Sequence, residues 1–372
     1  MGAEIVVQLG QGLASAQAAL LLGRFGARVV RVAGQGGAPD RWDRSEALRE
    51  AFAYGAEGVD AGGEVDASSL HELLERADVV IDDRPLSYWS ARGVDLRALY
   101  QGDDPPHAIW CGITPYGLFG IGAEWEGTEL TEQASGPMLL RIGEAGRNPL
   151  PMKGPQAEVG AGWHAAAAVA ALRFSREHGG PGALLDVSIQ ECLYMHSELG
   201  AVNWFYNGHE ISHWLNAKPT AAASGYPTRD GRTVHMLFHD REWPRVARMI
   251  GRPDLERDDR FMARYNRMQH MEEMDALLIP WFLERTAMEA VEAAQDAGMP
   301  MSVVRSPGEV LDDPQLRARG NFEEVEAAGE RVRFPVGVGR LSGHDDLPRR
   351  RAQAPPARPL AELLAELPPR PG

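Results

Sequence analysis

Short apolar stretches alternate with helical patterns over the first part of the chain. Residues 4–9 are apolar, residues 13–25 repeat apolar side chains at helical spacing up to Gly26, and residues 27–32 are apolar again. This order predicts a strand, a helix and a second strand, because a buried parallel strand is a short continuous apolar run in the sequence. Repetition of such units predicts a parallel sheet covered by helices.

The alternation continues more weakly to about residue 205. The predicted elements are a helix over 70–77, a strand over 79–81, a helix over 87–100, a strand over 108–113, a helix over 158–178, a strand over 184–187 and a helix from 188. These patterns predict an α/β fold with a large domain over residues 1–206 and a linker over 207–230, which is rich in Gly, Pro, Asn and Ser. A smaller α+β domain over 231–318, with a strand pair around 228–238, and a return segment over 319–372 that ends in a helix complete the prediction.

Composition narrows the possible partners and compartments. The 372 residues carry 38 Lys and Arg against 53 Asp and Glu, a net charge of −15, which disfavours nucleic acids and anionic membranes as partners. The longest apolar run, Ala165–Leu172, is far shorter than the ~20 residues that span a bilayer. Two cysteines, Cys111 and Cys192, are too few for a disulfide framework, and no export signal is visible. We therefore expect a cytoplasmic protein.

Several familiar chemistries have weak support or none. The turn Gly10–Gln11–Gly12 approximates a dinucleotide-binding fingerprint, but the next strand lacks the acid that binds a ribose, which favours a plain tight turn. The 11 histidines form no zinc motif, and His235 and His239 fall in a predicted strand and its exit, so no metal site is expected. The sequence also lacks the nucleophile elbow of serine hydrolases.

Glu158 is the strongest single candidate for chemistry. It begins the Ala-rich helix, where the helix dipole favours an ionised carboxylate. Gly160 and Gly162 follow it and weaken the helix by about 1 kcal/mol each, a cost that a close approach of a ligand or a neighbouring backbone would explain. From these residues alone, Glu158 is either a nucleophile or a glutamate that satisfies free N–H groups at a helix start.

Ordered motifs along nearly the whole chain resemble the class III CoA-transferase family, which includes formyl-CoA and carnitine CoA-transferases and α-methylacyl-CoA racemases. The family opening is matched around Leu13–Ala14 and Gly26–Ala27, and Ala77–Pro85 is similar to the family phrase ADVVIENFRP with one residue fewer. Further landmarks with the same order follow, at Cys111–Gly117, Asp186–Ser188, His239–Trp243 and Val310–Gly320.

The resemblance implies a Rossmann-like large domain, a smaller domain and an interlocked homodimer. It also implies that Glu158 attacks an acyl-CoA thioester to give a mixed anhydride and then an enzyme–CoA thioester, which passes CoA to a second carboxylic acid. The family residue at this position is usually Asp. Glutamate places its carboxylate on the order of 1 to 1.5 Å further from the backbone, and such a displacement affects alignment.

Departures from the family pattern leave two alternatives open. The Gly-rich loop expected between about 207 and 228 offers only Gly208 and Gly225, and the usual LGEHT-like segment is replaced by Ala357–Leu360. One alternative is racemase-like or lyase-like proton chemistry, with Glu158 and Asp240 as acid and base, although the racemase histidine would fall near Gly127. The other is a catalytically silent subunit in a heteromer with a paralogue.

The resemblance also nominates residues that bind coenzyme A, which would be a substrate and not a permanently bound cofactor. They are Ser15, Ala16, Gln17, Arg41, Arg84 and Arg92. Arginine suits phosphate because its planar donor fork binds two oxygens at once. Trp163, Trp204, Tyr206 and Trp214 either line an apolar acyl pocket or pack in a core. The expected partners are an acyl-CoA, a carboxylic acid and a second copy of the chain.

Overall fold

A computed structural model shows a chain that divides into two compact units. The structure describes residues 4–33, 55–143, 146–196, 223–327, 329–335 and 357–368, together with residues 52, 202, 204–206, 208, 339 and 342. The first unit comprises residues 1–140, 150–210 and 315–372, and the second comprises residues 141–149 and 211–314. Arg41 and Trp214 lie outside the described residues.

The secondary structure follows the predicted alternation. Its strands are β1 Ile5–Gln8, β2 Arg28–Ala33, β3 Glu57–Asp60, β4 Val79–Asp82, β5 Ile109–Thr114, β6 Leu184–Ser188, β7 Ala223–Pro227, β8 Thr233–Leu237, β9 Met301–Val303, β10 Phe322–Ala327, β11 Glu330–Pro335 and β12 Arg358–Pro359. Its helices are α1 Leu13–Arg24, α2 Ala67–Arg76, α3 Leu86–Ser90, α4 Leu96–Gln101, α5 Glu129–Ser135, α6 Met138–Arg141, α7 Gln156–Glu177, α8 Ile189–His196, α9 Trp243–Met249, α10 Asp259–Met262, α11 Arg264–Gln269, α12 Met271–Leu283, α13 Ala287–Asp296, α14 Pro307–Leu311, α15 Pro314–Ala318 and α16 Leu360–Glu366.

A seven-stranded parallel sheet forms the centre of the first unit, in the order β12-β3-β2-β1-β4-β5-β6. All six strand pairs in it are parallel. The predicted mixed α/β fold with a parallel sheet is therefore confirmed. Because parallel strands need crossover helices, both faces of this sheet are covered.

Apolar residues alternate between the two faces of the sheet. Val6 packs into one core with Ala161 and Val169 of α7, whereas its neighbour Val7 packs into the other core with Leu70 of α2 and Leu363 of α16. Such alternation follows from the strand period of two. The helices α1 and α7 thus lie on one face, and their amino-terminal ends are near the carboxyl ends of the strands.

Two predicted elements differ in the structure. The helix predicted over 87–100 is two short helices, α3 and α4, because Gly93 takes a φ of +82° that does not fit an α-helix. The first strand of the predicted pair ends at Pro227, and Thr228–Gly231 forms the turn, in which the Gly231 N–H donates to the Thr228 carbonyl oxygen.

The second unit has its own sheet and its own core. Its three antiparallel strands run in the order β7-β8-β9, and they pack against helices through side chains that include Trp243, Phe261 and Phe282. Within the described residues, no helix is long and apolar enough to cross a membrane.

An ionic cluster ties α7 to the start of the first unit's sheet. The Asp78 carboxylate accepts a hydrogen bond from the Ile5 N–H at 2.8 Å and lies 3.4 Å from the Arg176 guanidinium. Beside it, Glu4 forms an ion pair with Arg173. Burial raises the pKa of Glu4 to about 7, and the positive charge of Arg173 opposes this shift only in part.

The raised pKa of Glu4 predicts that stability falls as the pH rises from the ordinary glutamate pKa of 4.5 to about 7. A pKa higher in the folded state stabilises the fold fully below the unfolded value, and this contribution is lost as the pH rises through about 7. Each pKa unit is worth at most about 1.4 kcal/mol, and partial solvation reduces the expected loss between pH 5 and pH 8 to about 1 to 2 kcal/mol. Urea unfolding of Glu4→Gln should lack this loss, whereas the exposed variant Glu75→Gln should keep it. Parallel pH curves for wild type and Glu4→Gln would contradict the prediction.

Candidate active site

Glu158 lies in the first turn of α7 and is only 2% exposed. Its Oε2 accepts a hydrogen bond at 3.1 Å from the backbone N–H of Leu13, the first residue of α1. The side chain thus places a buried carboxylate at the amino-terminal end of a second helix, where the N–H groups and the dipole favour negative charge.

A second carboxylate occupies the same end of α1. Asp83 Oδ2 accepts a hydrogen bond from the Gly12 N–H at 2.5 Å. A Cβ atom at Gly12 would lie 2.9 Å from that oxygen, and one at Gly10 would lie 2.9 Å from Asp83 Cγ. The close approach of Asp83 therefore explains Gly12, and Asp83 together with the Ser15 hydroxyl explains Gly10. A pyrophosphate at this turn would meet N–H groups that already bind carboxylates, which disfavours the dinucleotide interpretation further.

Glycines of α7 allow close contact with neighbouring helices. A Cβ at Gly162 would lie 2.6 Å from Gln17 Cβ and 2.7 Å from the Ala14 carbonyl oxygen of α1, and one at Gly160 would lie 3.0 Å from His196 Cε1 of α8. The expected close approach at these positions is thus made by side chains and backbone of the same unit. Gly162 lets α1 and α7 approach, and this contact brings Leu13 within reach of Glu158.

Two further glutamates surround Glu158. Ligand oxygens of Glu129, Glu132 and Glu158 all lie within 4.8 Å of one another, and Glu132 is fully buried. We call these three residues the carboxylate cluster. Such a set could hold a divalent cation, although exposed acidic groups are common without one. Glu129 is already bonded to backbone N–H groups of α7 and to Gln133.

The predicted CoA-binding residues of α1 differ in accessibility. Ser15 is fully buried, Gln17 is 7% exposed beneath Gly162, and Ala16 is half-buried. Their contacts with coenzyme A stay a prediction. Ser15 and Gln17 are therefore buried, and Ala16 is the most accessible of the three.

The two described arginines among the predicted phosphate ligands have different surroundings. Arg84 is 2% exposed, and its Nε donates to Asp82 Oδ1 at 2.7 Å. Trp89 Nε1 donates to the other Asp82 oxygen at 2.7 Å, and burial raises the pKa of the Asp82 carboxyl, while Arg84 and Trp89 oppose the shift. Arg92 lies nearer the surface, pairs with Glu64, and stacks 3.6 Å from the Tyr88 ring centroid.

Asp240, the predicted acid–base partner, belongs to the second unit. It begins a short 3₁₀ turn, and its Oδ1 accepts a hydrogen bond at 2.6 Å from Nη2 of Arg267. Arg267 is fully buried and also donates to the Phe261 carbonyl oxygen at 2.7 Å, whereas the Asp240 side chain is 57% exposed. The described contacts of Asp240 therefore anchor a turn, and its catalytic role stays a prediction.

Sequence reasoning missed Glu129, Glu132 and Gln133 because the helix that carries them, α5, was not predicted. A signal for it exists. Thr128 is the N-cap of α5, its side chain accepts from the Thr131 N–H, and Thr131 bonds back to the Thr128 N–H. Such a capping box is typical of a helix start.

The site is thus built around a buried carboxylate, that of Glu158, at the carboxyl edge of a parallel sheet. Comparison with known proteins gives the family of the chain. Residues 4–358 match CoA-transferase family III, and the chain belongs to this family. The resemblance stated from the motifs is thereby confirmed.

Three curated relatives illustrate the similarity. The chain is 23% identical to a succinate–glutarate CoA-transferase of Agrobacterium fabrum, with 97% of this chain and 94% of the relative covered. It is 26% identical to a succinyl-CoA–D-citramalate CoA-transferase of Chloroflexus aurantiacus, with 84% and 80% covered. The chain also matches a probable CoA-transferase of Mycobacterium tuberculosis at 25% identity, over 87% of this chain and 42% of that longer protein.

The fold agrees with a solved structure of similar size. The protein Rv3272 of M. tuberculosis superposes with a TM-score of 0.78 at 21% identity, and 95% of each chain is covered. At this identity the comparison shows the shared fold alone.

Proposed function

We propose that this protein transfers CoA from an acyl-CoA to a carboxylic acid through a covalent intermediate on Glu158. The observation that carries the proposal is the buried Glu158 carboxylate with Oε2 on the Leu13 N–H. A carboxylate is a competent covalent nucleophile when it is positioned and shielded from water. Membership of the CoA-transferase family supplies the substrate class, a CoA thioester and a carboxylic acid.

The first half of the reaction loads CoA onto the enzyme. Oε1 of Glu158 attacks the thioester carbonyl carbon and the C–S bond breaks. CoA departs as a thiolate, and the acyl group and Glu158 are then joined in a mixed anhydride. The thiolate then attacks Cδ of Glu158, the anhydride C–O bond breaks, and the donor acid departs as a carboxylate. During this attack negative charge develops on Oε2, to which Leu13 already donates, and one such donor is worth about 100- to 1,000-fold in rate.

The second half reverses these steps with a different acid. The acceptor carboxylate attacks the glutamyl thioester, CoA leaves as a thiolate, and a second mixed anhydride forms. The thiolate attacks the acyl carbon of the acceptor, which releases the new acyl-CoA and restores the Glu158 carboxylate. No proton, oxidant or metal enters the balance.

A test of the proposal is direct capture of the intermediate. Wild type, Glu158→Gln and the exposed control Glu75→Gln are incubated with succinyl-CoA, glutaryl-CoA or acetyl-CoA and then treated with hydroxylamine, and the products are located by peptide mass mapping. A hydroxamate at Glu158 in wild type and in Glu75→Gln, absent from Glu158→Gln, is the expected result. Undiminished turnover in Glu158→Gln, or a label confined to another residue, contradicts the proposal.

Proton chemistry at the α-carbon is the second candidate, and Glu132 favours it. This buried carboxyl lies beside Glu158, and a Cβ at Gly127 would lie 2.9 Å from its Oε1 and 2.6 Å from Pro115 Cβ. The space for a side chain at position 127 is thus taken by Pro115 and Glu132 together. Deuterium uptake at the α-carbon of a bound acyl-CoA, without a Glu158 adduct, would support this candidate over transfer.

A catalytically silent subunit is the third candidate, motivated by glutamate in place of the usual aspartate at position 158. It predicts CoA binding without adduct or exchange in the purified chain. Turnover restored by adding a paralogue with the usual aspartate would support it, whereas turnover by this chain alone would contradict it.

We propose further that the protein is a homodimer. Large apolar side chains are exposed on the first unit, among them Ile121 at 94%, Trp125 at 58%, Phe174 at 65% and Met195 at 66%. These side chains are candidates for burial against the second copy of the chain that the family resemblance implies. Light scattering coupled to size exclusion should therefore give twice the chain mass of 40.6 kDa. A concentration-independent monomer would contradict the prediction.

A further inference from the structure

We propose that Glu129 and Gln133 are positioning residues that fix the start of α7 and, through it, the Glu158 carboxylate. The inference rests on the function proposed above and deepens it. We call the two residues the Gln133–Glu129 clamp. Both belong to α5, which precedes α7 in the chain by about twenty residues.

The clamp supplies the cap that α7 lacks locally. Pro155 is the N-cap residue, and it has no side-chain acceptor. The Glu129 carboxylate takes this role from a distance in sequence. Its oxygens accept from the Ala157 N–H at 2.8 and 3.1 Å, and Oε2 also accepts from the Glu158 N–H at 3.3 Å. The backbone of the proposed nucleophile is therefore held directly by Glu129.

Gln133 fixes Glu129 and the chain that enters α7. Its Nε2 donates to Glu129 Oε1 at 2.7 Å and to the Met152 carbonyl oxygen at 3.1 Å, while its Oε1 accepts from the Met152 N–H at 2.9 Å. Gln133 is fully buried, and all of its bonds are internal. The segment from Met152 to Glu158 is thus held at both ends by one turn of α5.

The charge of Glu129 indicates that this residue does more than cap α7. A Ser, Thr or Asn at position 155 would cap α7 without adding charge. Glu129 instead brings a carboxylate within 4.8 Å of Glu158 and of Glu132, and like charges at such a distance oppose each other. This arrangement fixes the position of the 152–158 segment, because both of its ends are hydrogen-bonded to α5. A displacement of ~1 Å at a reacting group can cost about 100-fold in rate.

The proposal is tested by kinetics of Glu129→Gln, Glu129→Ala and Gln133→Met. We expect Glu129→Ala to lower kcat and the single-turnover rate of Glu158 acylation by about 30- to 100-fold, with KM for the acyl-CoA within about threefold of wild type. Glu129→Gln keeps an acceptor oxygen for the Ala157 N–H and should lose less than about tenfold. Because the clamp acts as a unit, Gln133→Met combined with Glu129→Ala should be no slower than Glu129→Ala within about twofold.

Asp66→Ala is the matched control, since Asp66 caps α2 by accepting from the Ser69 N–H at 2.7 Å. This variant should lose Tm as Glu129→Ala does but keep the kcat of wild type, because α2 carries no group of the site. A wild-type acylation rate in Glu129→Ala overturns the positioning role. If Glu129→Ala does not fold, Glu129→Gln and Gln133→Met decide, and rates equal to wild type in both overturn it. Absence of any adduct in wild type instead overturns the function proposed above.

Discussion

Glu158→Asp should lower kcat by about 100-fold and Glu158→Gln should abolish turnover, while both variants stay folded. The Glu158 carboxylate reaches the Leu13 N–H at 3.1 Å. Aspartate would withdraw it by on the order of 1 to 1.5 Å, which breaks this hydrogen bond and misplaces the nucleophile. Glutamine keeps the length and can still accept from Leu13, but it has no anionic oxygen to attack a thioester. Steady-state kinetics with the productive acyl-CoA, together with a thermal melt of each variant, measure both effects.

The pair of variants separates reach from charge. If reach matters as the hydrogen bond indicates, Glu158→Asp should form the covalent adduct slowly, and Glu158→Gln should form none. If Glu158→Asp were as fast as wild type, the additional methylene of the Glu158 side chain would not be needed to position the carboxylate. A glutamine variant that turns over would remove Glu158 from the chemistry altogether.

The parallel sheet could be predicted because its central strands are continuous apolar runs. The strands Ile5–Gln8 and Ile109–Thr114 are buried throughout, and nothing local competes with that pattern. The two strands at the β12 side of the sheet could not be predicted in this way. Glu57–Asp60 is short and contains a glycine, and Arg358–Pro359 comprises two residues that pair with it from about 300 positions further along the chain. Their pairing is set by contacts remote in the chain, which a local pattern does not contain.

The same limit applies to the site. Glu158 stood out because its position at a helix start and the glycines after it are local features. Glu129 and Gln133 did not, because their meaning depends on hydrogen bonds to residues 19 to 29 positions away. Asp83 was likewise invisible as a partner of Gly12, 71 positions earlier. A sequence can indicate which carboxylate lies at a helix start, but not which second carboxylate folds against it.

Arg84→Ala should destabilise the protein by about 3 to 5 kcal/mol, the largest loss of stability that we predict. Arg84 is the buried ionic partner of Asp82, which is itself fully buried. Removing one member of a buried ion pair leaves the other charge uncompensated in a low-dielectric interior. The Asp82 carboxylate would keep only the Trp89 N–H and the neighbouring backbone, so the measured loss in urea unfolding at pH 7 should be large.

The pH dependence of this loss identifies its cause. Burial already raises the pKa of Asp82, and without Arg84 its carboxyl should take up a proton more readily, so the loss should shrink from pH 7 to pH 5. Arg92→Ala is the matched control, since its partner Glu64 lies at the surface and its removal should leave unfolding close to that of wild type.

A small, pH-independent loss of stability in Arg84→Ala would contradict the role of Arg84 as the ionic partner of Asp82. Arg84 would then be available to bind phosphate. The outcome therefore also bears on the predicted phosphate contacts. An arginine that the fold requires to neutralise Asp82 cannot turn to a phosphate without leaving that carboxylate unpaired. If Arg84→Ala shows the large loss and Arg92→Ala instead weakens CoA binding with little loss of stability, Arg92 is the phosphate ligand of the two.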